Sequence, residues 1–392
     1  MTNNYSTNTL KSQGLPLVSY IFLLILAIIF PVIYLNSLSG ELTMTMSLIL
    51  LAYFAFTPLF IFRPITFLYF IFLATPTLRF FSQDEVFIKI FDFPINFNAI
   101  IDLSILFFSA HYFFLEKGRL LDFLKGKKFI LFFLAFTIFC FASIIYSIDK
   151  KSTFEELVRL ITVFFIFAYS YLAVIDKKSF SSLIIAFIFG ALAPALVGFY
   201  QLLTGTGWYD ATIFQYRIQG TFSHPATLAY YLLLIIPIIY ARLTSSKNKI
   251  KSISYLFLLF FYAIISVLTF SRGGWIGLLM VILVYGIVKS KKLLVTAFVL
   301  LLITYLLVPT INSRVNDVFE PKYNSSFSTR LFIIETTLPA FYNAPLLGYG
   351  WGSFESIHLK YNSEAIKYES QQAHNDYLRM GLQGLLYKKL VI

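Results

Sequence analysis

The sequence alternates between long apolar runs and shorter polar or charged segments. Apolar runs of roughly twenty residues, the length that crosses ~30 Å of hydrocarbon, begin near residues 15, 43, 64, 98, 128, 157, 180, 225, 252, 273 and 292. The third run, from Pro64 to Phe81, is interrupted by Pro76 and Arg79, so a re-entrant or interfacial segment is the alternative there. The pattern predicts an all-α polytopic membrane protein with about 11–12 transmembrane helices.

Composition supports the membrane class. Of the 392 residues, 58% are hydrophobic, 19% aromatic and 13% charged, which excludes an ordinary water-soluble fold. The formal net charge of +12 would raise the question of nucleic acid in a soluble protein. The placement of Lys and Arg explains this charge better, so the lipid bilayer is the expected partner and nucleic acid is not.

The basic residues predict the orientation of the chain. With the N-terminus inside, sixteen Lys and Arg fall in the cytoplasmic loops, with clusters at 117–128, 242–251 and 289–292. The opposite loops hold eleven, although they include both long loops. Because basic loops are retained in the cytoplasm, a cytoplasmic N-terminus is predicted.

Four segments follow from this pattern. Residues 1–14 are expected to form a disordered cytoplasmic tail, residues 15–310 a transmembrane helix bundle, and residues 311–373 a mostly helical extracytoplasmic cap. In the cap, a helix is predicted from Thr329 to Tyr342, capped by Ser328 and followed by a glycine-rich turn at residues 348–352. Residues 374–392 are expected to begin a final transmembrane helix that the chain leaves truncated.

Three of the arginines on the predicted external face are candidates for binding an anion. These are Arg217, Arg272 and Arg330. Arg272 lies between two apolar runs and precedes two glycines, which would allow an anion to approach the first free N–H groups of a helix. A guanidinium presents a planar fork to phosphate oxygens, so the set suits a pyrophosphate. The alternative is that each arginine only anchors the chain at the lipid head groups.

Histidine is the residue type best suited to act as a base in these segments. His374 precedes two residues that could cap the final helix, and the positive end of a helix dipole keeps an imidazole neutral. The alternative is a loop histidine that only bonds the cap. His224 is a second candidate that would instead begin a helix, whereas His111 and His358 are interpreted as structural.

Other chemistry has little support in the sequence. No external Asp-x-Asp or His-x-x-x-His pattern is present, so no metal site is predicted. The single cysteine, Cys140, excludes disulfides within the chain. Because no P-loop occurs, ATP or a nucleotide sugar is not the expected substrate.

Four motifs resemble those of the O-antigen ligase and O-antigen polymerase family of bacterial membrane glycosyltransferases. They occur in the order RIQGTFSHPATLA from Arg217, LTFSRGGWIGL from Leu268, the segment from Arg330 to PLLGYGWGSF, and AHNDYLRMGLQGLL from Ala373. They cover most of the chain after about residue 215. The first half resembles the family only in hydropathy.

The resemblance implies an enzyme of the bacterial cytoplasmic (inner) membrane with an extracytoplasmic active site. The donor would be an undecaprenyl-pyrophosphate-linked glycan, bound by Arg217, Arg272 and Arg330, and His374 would activate the acceptor hydroxyl. Transfer would invert the anomeric carbon and need no cofactor. The acceptor would be lipid A-core or another glycan, in lipopolysaccharide or surface polysaccharide biosynthesis.

Alternatives stay open at this point. Ligases and polymerases share these motifs, so the acceptor is not readable from them. A lipid-linked glycan flippase would need a polar cavity inside the bilayer, whereas charges within the predicted spans are few, Asp102 and Arg159 being the clearest. A membrane assembly partner with a binding cap would tolerate loss of His374. Family proteins generally continue through at least one complete helix after the motif that contains His374. The present chain departs from that pattern, and the difference bears on whether it is active.

Overall fold

A computed structural model describes residues 57, 59–78, 88–90, 93–95, 97–125, 127–210, 215–288, 306, 326–343 and 348–361. Its helices are α1 (Pro64–Leu78), α2 (Phe97–Leu115), α3 (Lys117–Leu124), α4 (Lys128–Ala142), α5 (Lys150–Ala173), α6 (Lys177–Gly190), α7 (Leu192–Thr204), α8 (Pro225–Ser245), α9 (Lys249–Leu268), α10 (Arg272–Val288), α11 (Ser326–Asn343) and α12 (Phe354–Tyr361). Two antiparallel hairpins pair β1 (Ile88–Ile90) with β2 (Phe93–Ile95), and β3 (Trp208–Asp210) with β4 (Gln215–Arg217).

The predicted all-α polytopic membrane class is confirmed. Within the described residues, six helical segments are long and apolar enough to cross a membrane: Asn98–Leu115, Lys128–Ile145, Lys150–Ala173, Lys177–Thr204, Pro225–Ser245 and Lys249–Leu268. Two shorter apolar helices, α1 and α10, accompany them. Helix α1 has 15 residues, a length of about 22 Å that is short of a full bilayer core. The run beginning near residue 15, and most of the runs beginning near residues 43 and 292, lie outside the described residues.

The chain divides into two compact units. The first comprises residues 1–125 and 164–183, and its described part has an aromatic core. Phe67, Phe108 and Tyr169 are almost completely buried there, with ring centroids 4.7 and 5.7 Å from Phe67 to the other two. The Tyr169 hydroxyl donates to the carbonyl oxygen of Pro64 at 2.9 Å, which ties α5 to the beginning of α1.

The second unit comprises residues 126–163 and 184–392, and its main core lies among α6 to α10. One apolar segment there is divided into α6 and α7 at Ala191, just before Pro194. The Ile188 carbonyl lies in the last turn of α6, next to this break, and Pro194 has no amide hydrogen to donate in the following turn. The buried Tyr262 hydroxyl donates to this carbonyl at 2.9 Å, so a side chain of α9 provides a hydrogen bond at the break.

Glycines allow α10 to approach α8 closely. A Cβ atom at Gly274 would lie 2.7 Å from the Cβ of Ala229, and one at Gly277 would collide with the side chain of Leu233. Small residues are used in this way where helices in a membrane pack backbone to backbone. The GGxxG spacing therefore sets the α8–α10 contact.

The described part of the predicted cap contains two helices joined through a glycine turn. Helix α11 begins three residues before the predicted Thr329, so Ser328 lies inside the helix instead of capping it. Gly348, Gly350 and Gly352 all have positive φ, which confirms the predicted turn. Ile333, Ala340, Phe354 and Ile357 form a small buried cluster between α11 and α12.

We expect Gly274→Ala to lower the stability of the protein by about 1–3 kcal/mol, because the added methyl group must push α8 and α10 apart. The measurement is the thermal unfolding midpoint of the purified chain in detergent. Gly118→Ala in α3 is the matched control, since nothing lies within 4 Å of the added methyl group. An equal loss of stability in both variants would contradict close packing at Gly274.

Candidate functional site

Arg217 lies at the end of strand β4 and forms a buried ion pair. Its Nη1 atom is 3.0 Å from Oδ2 of Asp210, and the two side chains are only 9% and 11% exposed. The β3–β4 register pairs Asp210 with Gln215 and Trp208 with Arg217, so the two charges are diagonal neighbours across the hairpin. The hairpin thus provides the arginine with its counter-charge.

Arg217 also holds the turn between α9 and α10. Its Nε atom donates to the Thr269 carbonyl oxygen at 2.9 Å, and Arg272 follows three residues later as the first residue of α10. The connection is as short as the sequence indicates. It contains Phe270 at a φ of 51°, a left-handed conformation that is unusual for a side chain of this size. The structure therefore brings the Arg217 guanidinium to the segment that presents Arg272.

Polar groups surround the beginning of α10. The Ser271 hydroxyl accepts from the Gly274 amide at 3.4 Å, and the half-exposed Tyr230 side chain places its hydroxyl over Gly273. Arg272 itself is partly exposed. The sequence interpretation gave Gly273 and Gly274 the role of admitting an anion. Both are instead covered by α8 on their Cα side, so close packing is their observed role.

Gln201 organises the loop that follows Arg217. Its side-chain oxygen accepts from the Gln219 and Gly220 amides at 3.0 and 2.9 Å, and its Nε2 donates to the Gly220 carbonyl at 3.1 Å. Gly220 has a φ of 62°, and a Cβ there would lie 2.5 Å from the Pro194 carbonyl oxygen. One buried amide side chain therefore provides hydrogen bonds to the backbone of a non-helical loop. This loop requires glycine at position 220.

Three of the four histidines lie within the described residues. His224 caps α8 by accepting from the Ala226 amide through Nδ1 at 3.1 Å, which confirms the alternative that it begins a helix. His111 is buried beside Phe107. His358 is buried against Phe354 in the cap, and burial lowers its pKa. The interpretation of His111 and His358 as structural stays a prediction.

The structure says less about the two remaining predicted site residues, Arg330 and His374. Arg330 lies near the beginning of α11 in the cap, and His374 lies outside the described residues. The predicted final helix, residues 374–392, also lies outside them. Of the four predicted site residues, the structure brings Arg217 and the turn before Arg272 into contact.

The glycine turn of the cap is bonded to the corner between α4 and α5. The Trp351 amide donates to the Ser143 hydroxyl at 3.1 Å, and the Ile148 amide donates to the Tyr349 carbonyl at 3.2 Å. A Cβ at Gly350 would lie 2.5 Å from that of Ser147. Close backbone approach therefore fixes this part of the cap to the helices below it.

Asp149 is the polar centre of that contact. Its carboxylate accepts from the Ser152 amide at 3.0 Å, which caps α5, and from the Ser356 hydroxyl of α12 at 2.8 Å. Burial alone would raise the pKa of Asp149. The hydrogen bonds from Ser152 and Ser356 outweigh burial and hold the pKa below its ordinary value.

The sequence interpretation did not find Asp210, Gln201 or Asp149. A glutamine inside an apolar helix is a signal for Gln201, because buried amides in a membrane need partners. An aspartate just before a helical run signals a cap at Asp149. No sequence signal identifies Asp210, among the Asp and Glu residues of the chain, as the partner of Arg217. Within the described residues, no group of three or more His, Cys, Asp or Glu side chains could hold a metal ion.

Comparison with known proteins adds one finding. Residues 256–384 match the family model described as O-antigen ligase. The match confirms the predicted resemblance over about a third of the chain, and it includes Arg272, Arg330 and His374, whereas Arg217 precedes it. No curated protein and no solved structure matches the chain.

We expect Asp210→Asn to destabilise the protein by about 3–5 kcal/mol, because Arg217 would keep its buried charge without the opposite charge. Thermal unfolding in detergent measures the effect. Asp122→Asn is the matched control, since the Asp122–Lys125 pair is more than three-quarters exposed and such pairs contribute about 1 kcal/mol or less. Equal effects of the two variants would show that the Arg217 pair is not a buried charge pair.

Replacement of Asp149 by alanine should loosen the cap, with a loss of about 1–2 kcal/mol from the lost helix cap. Amide hydrogen exchange of residues 348–361 measures it, and Asp176→Ala is the control because Asp176 caps α6 through the Ser179 amide. The stability difference between wild type and Asp149→Ala should persist above the ordinary Asp pKa of ~3.9. It should disappear as the pH falls through the lower folded-state pKa. Unchanged exchange would contradict the role of Asp149.

Proposed function

We propose that this multi-pass membrane protein, whose residues 256–384 carry an O-antigen ligase domain, is a glycosyltransferase. It transfers a glycan from undecaprenyl pyrophosphate to an acceptor hydroxyl at the outer face of the bacterial cytoplasmic membrane. The family match supports the reaction class. The excess of basic residues in the opposite loops supports the external location of the site.

The main support for this donor site is the hydrogen bond between Arg217 and the turn before Arg272. Two guanidinium-bearing segments meet at one end of the helices α9 and α10, where the first turn of α10 and the Tyr230 hydroxyl are also present. A helix N-terminus favours an anion, and Arg272 adds a full positive charge with a fork geometry. This combination suits a lipid-linked pyrophosphate.

Arg217 and Arg272 contribute differently to this donor site. Asp210 offsets the charge of Arg217, and Thr269 fixes its orientation, so Arg217 offers the pyrophosphate a rigidly held donor group with little net charge. Arg272 is partly exposed at the first position of α10, where its charge adds to the positive end of the helix dipole. We assign it the main attraction for the donor, with Arg330 of the cap helix adding to it.

In the proposed reaction the acceptor oxygen attacks the anomeric carbon as the bond to the pyrophosphate oxygen breaks. His374 takes the proton of the acceptor hydroxyl. Negative charge develops on the departing lipid pyrophosphate, and the arginines stabilise that charge. The displacement inverts the anomeric carbon, and it needs neither a metal ion nor a cofactor. With a growing glycan as acceptor, the same steps would make a polymerase.

The test is a transfer assay with the purified full chain, an undecaprenyl-pyrophosphate-linked glycan and either lipid A-core or a glycan as acceptor. We expect His374→Ala to abolish both glycan transfer and release of lipid pyrophosphate. Arg272→Lys should lower kcat/KM for the donor roughly a hundredfold, because a lysine keeps the charge but loses the fork. Chelation of divalent ions should leave the rate unchanged.

Arg242→Lys is the matched control, because Arg242 lies in the last turn of α8, in a loop that the charge pattern predicts to be cytoplasmic. Thermal midpoints of all variants verify folding. Full activity of His374→Ala would remove the base assignment. Movement of the glycan across liposomes without transfer to any acceptor would instead favour a flippase.

A further inference from the structure

An aromatic groove lies in the first compact unit, away from the residues of the proposed donor site in the sequence. Its volume is about 620 Å³, within the range of ~300–1,000 Å³ that holds small ligands. Helix α3 forms one wall, because Phe123 packs against Tyr171 and Phe167 of α5 at centroid distances of 4.7 and 5.8 Å. Ile175 and Phe180 continue the lining toward α6.

The groove lies at the end of three membrane-crossing segments. The first of these spans ends at Leu115, the second ends at Ala173, and the third begins at Lys177. Its lining residues fall between residues 119 and 123 and between residues 167 and 183. It therefore belongs to the boundary between hydrocarbon and water. Phe167, Ile175 and Phe180 are all about half exposed or more, as side chains in contact with lipid would be.

The charged side chains that line the groove are Arg119 and Asp122, and the sequence segments around them have an excess of positive charge. Residues 116–125 and 176–178 contain the basic side chains Lys117, Arg119, Lys125, Lys177 and Lys178 against the acidic Glu116, Asp122 and Asp176. Asp176 is turned toward its own helix, where it accepts from the Ser179 amide. Lys177 and Lys178 stand in sequence between the lining residues Ile175 and Phe180. A basic pocket at this level of a membrane fits a lipid phosphate.

Arg119 is held at the edge of this groove. Its Nη2 atom donates to the Leu172 carbonyl at 2.9 Å, near the end of α5, and its Nη1 lies 3.5 Å from Oε2 of Glu116. The Arg119 side chain is nevertheless 41% exposed. Its guanidinium thus stands beside the aromatic wall with its orientation fixed, which suits a group that positions a phosphodiester.

We propose that this groove binds one anionic phospholipid of the adjoining leaflet. The phosphodiester lies against Arg119, Lys177 and Lys178, and an acyl chain lies along Phe123, Tyr171 and Phe180. The half-exposed apolar lining matches an acyl chain, and the basic side chains of the neighbouring segments match an anionic head group. The positive-inside pattern assigns the lipid to the cytoplasmic leaflet.

The test uses the purified full chain in detergent, titrated with dioleoyl-phosphatidylglycerol or with dioleoyl-phosphatidylcholine, which has the same acyl chains but no net charge. Native mass spectrometry measures the bound lipid. We expect one phosphatidylglycerol to be retained in preference to phosphatidylcholine. Replacing both Lys177 and Lys178 by glutamine should weaken its binding roughly twenty-five-fold, at about fivefold for each lysine.

Two further variants make the result decisive. Lys247→Gln with Lys249→Gln removes the same charge from the loop between α8 and α9 and should leave retention of phosphatidylglycerol unchanged. Ser170→Phe fills the groove and should reduce retention of both lipids while the thermal midpoint verifies folding. Equal retention of the two lipids, equal losses in the two lysine pairs, or undiminished retention by a folded Ser170→Phe variant would overturn the proposal. A dimer that dissociates in Ser170→Phe would show that a second copy fills the groove.

Discussion

Backbone amide and carbonyl groups at membrane depth must find partners inside the protein, because hydrocarbon offers none. Helices meet this requirement by themselves, and the places where the helices break show how it is met otherwise. The Tyr262 hydroxyl donates to the Ile188 carbonyl at the α6–α7 break, and the Gln201 side chain forms hydrogen bonds with the loop at Gly220. Arg217 donates to the Thr269 carbonyl between α9 and α10.

Two of these side chains, Arg217 and Gln201, act at the candidate site or at the loop that follows Arg217. A charged guanidinium that satisfies a turn must itself be balanced, which Asp210 does from the β3–β4 hairpin. The hairpin, the turn and the beginning of α10 therefore depend on one another. Backbone carbonyl groups without helical partners and the anion of the proposed donor site both call for hydrogen-bond donors such as arginine at this end of the helices.

The helices themselves were largely predictable because ~20-residue apolar runs leave few alternatives. The glycine turn at residues 348–352 was predictable because alternating glycines permit positive φ. Partners distant in sequence were not predictable. Asp149 and Ser356 are separated by 207 residues, and hydropathy carries no information about which polar side chains meet. Gly273 and Gly274 show a second limit of prediction from sequence. A glycine can allow either the approach of an anion or the close packing of a helix, and only the position of α8 shows that these two glycines allow packing.

The candidate site illustrates why residue type alone does not assign a role. Arg217 and Arg272 are equal in charge and are both followed within three residues by glycine. Arg217 is nine-tenths buried and paired with Asp210, whereas Arg272 begins a helix and is partly exposed. A buried, paired arginine contributes geometry at little net charge, while an arginine at a helix N-terminus adds its charge to that of the dipole. In the proposed donor site the two residues would therefore contribute to pyrophosphate binding in complementary ways, which neither could do if their surroundings were exchanged.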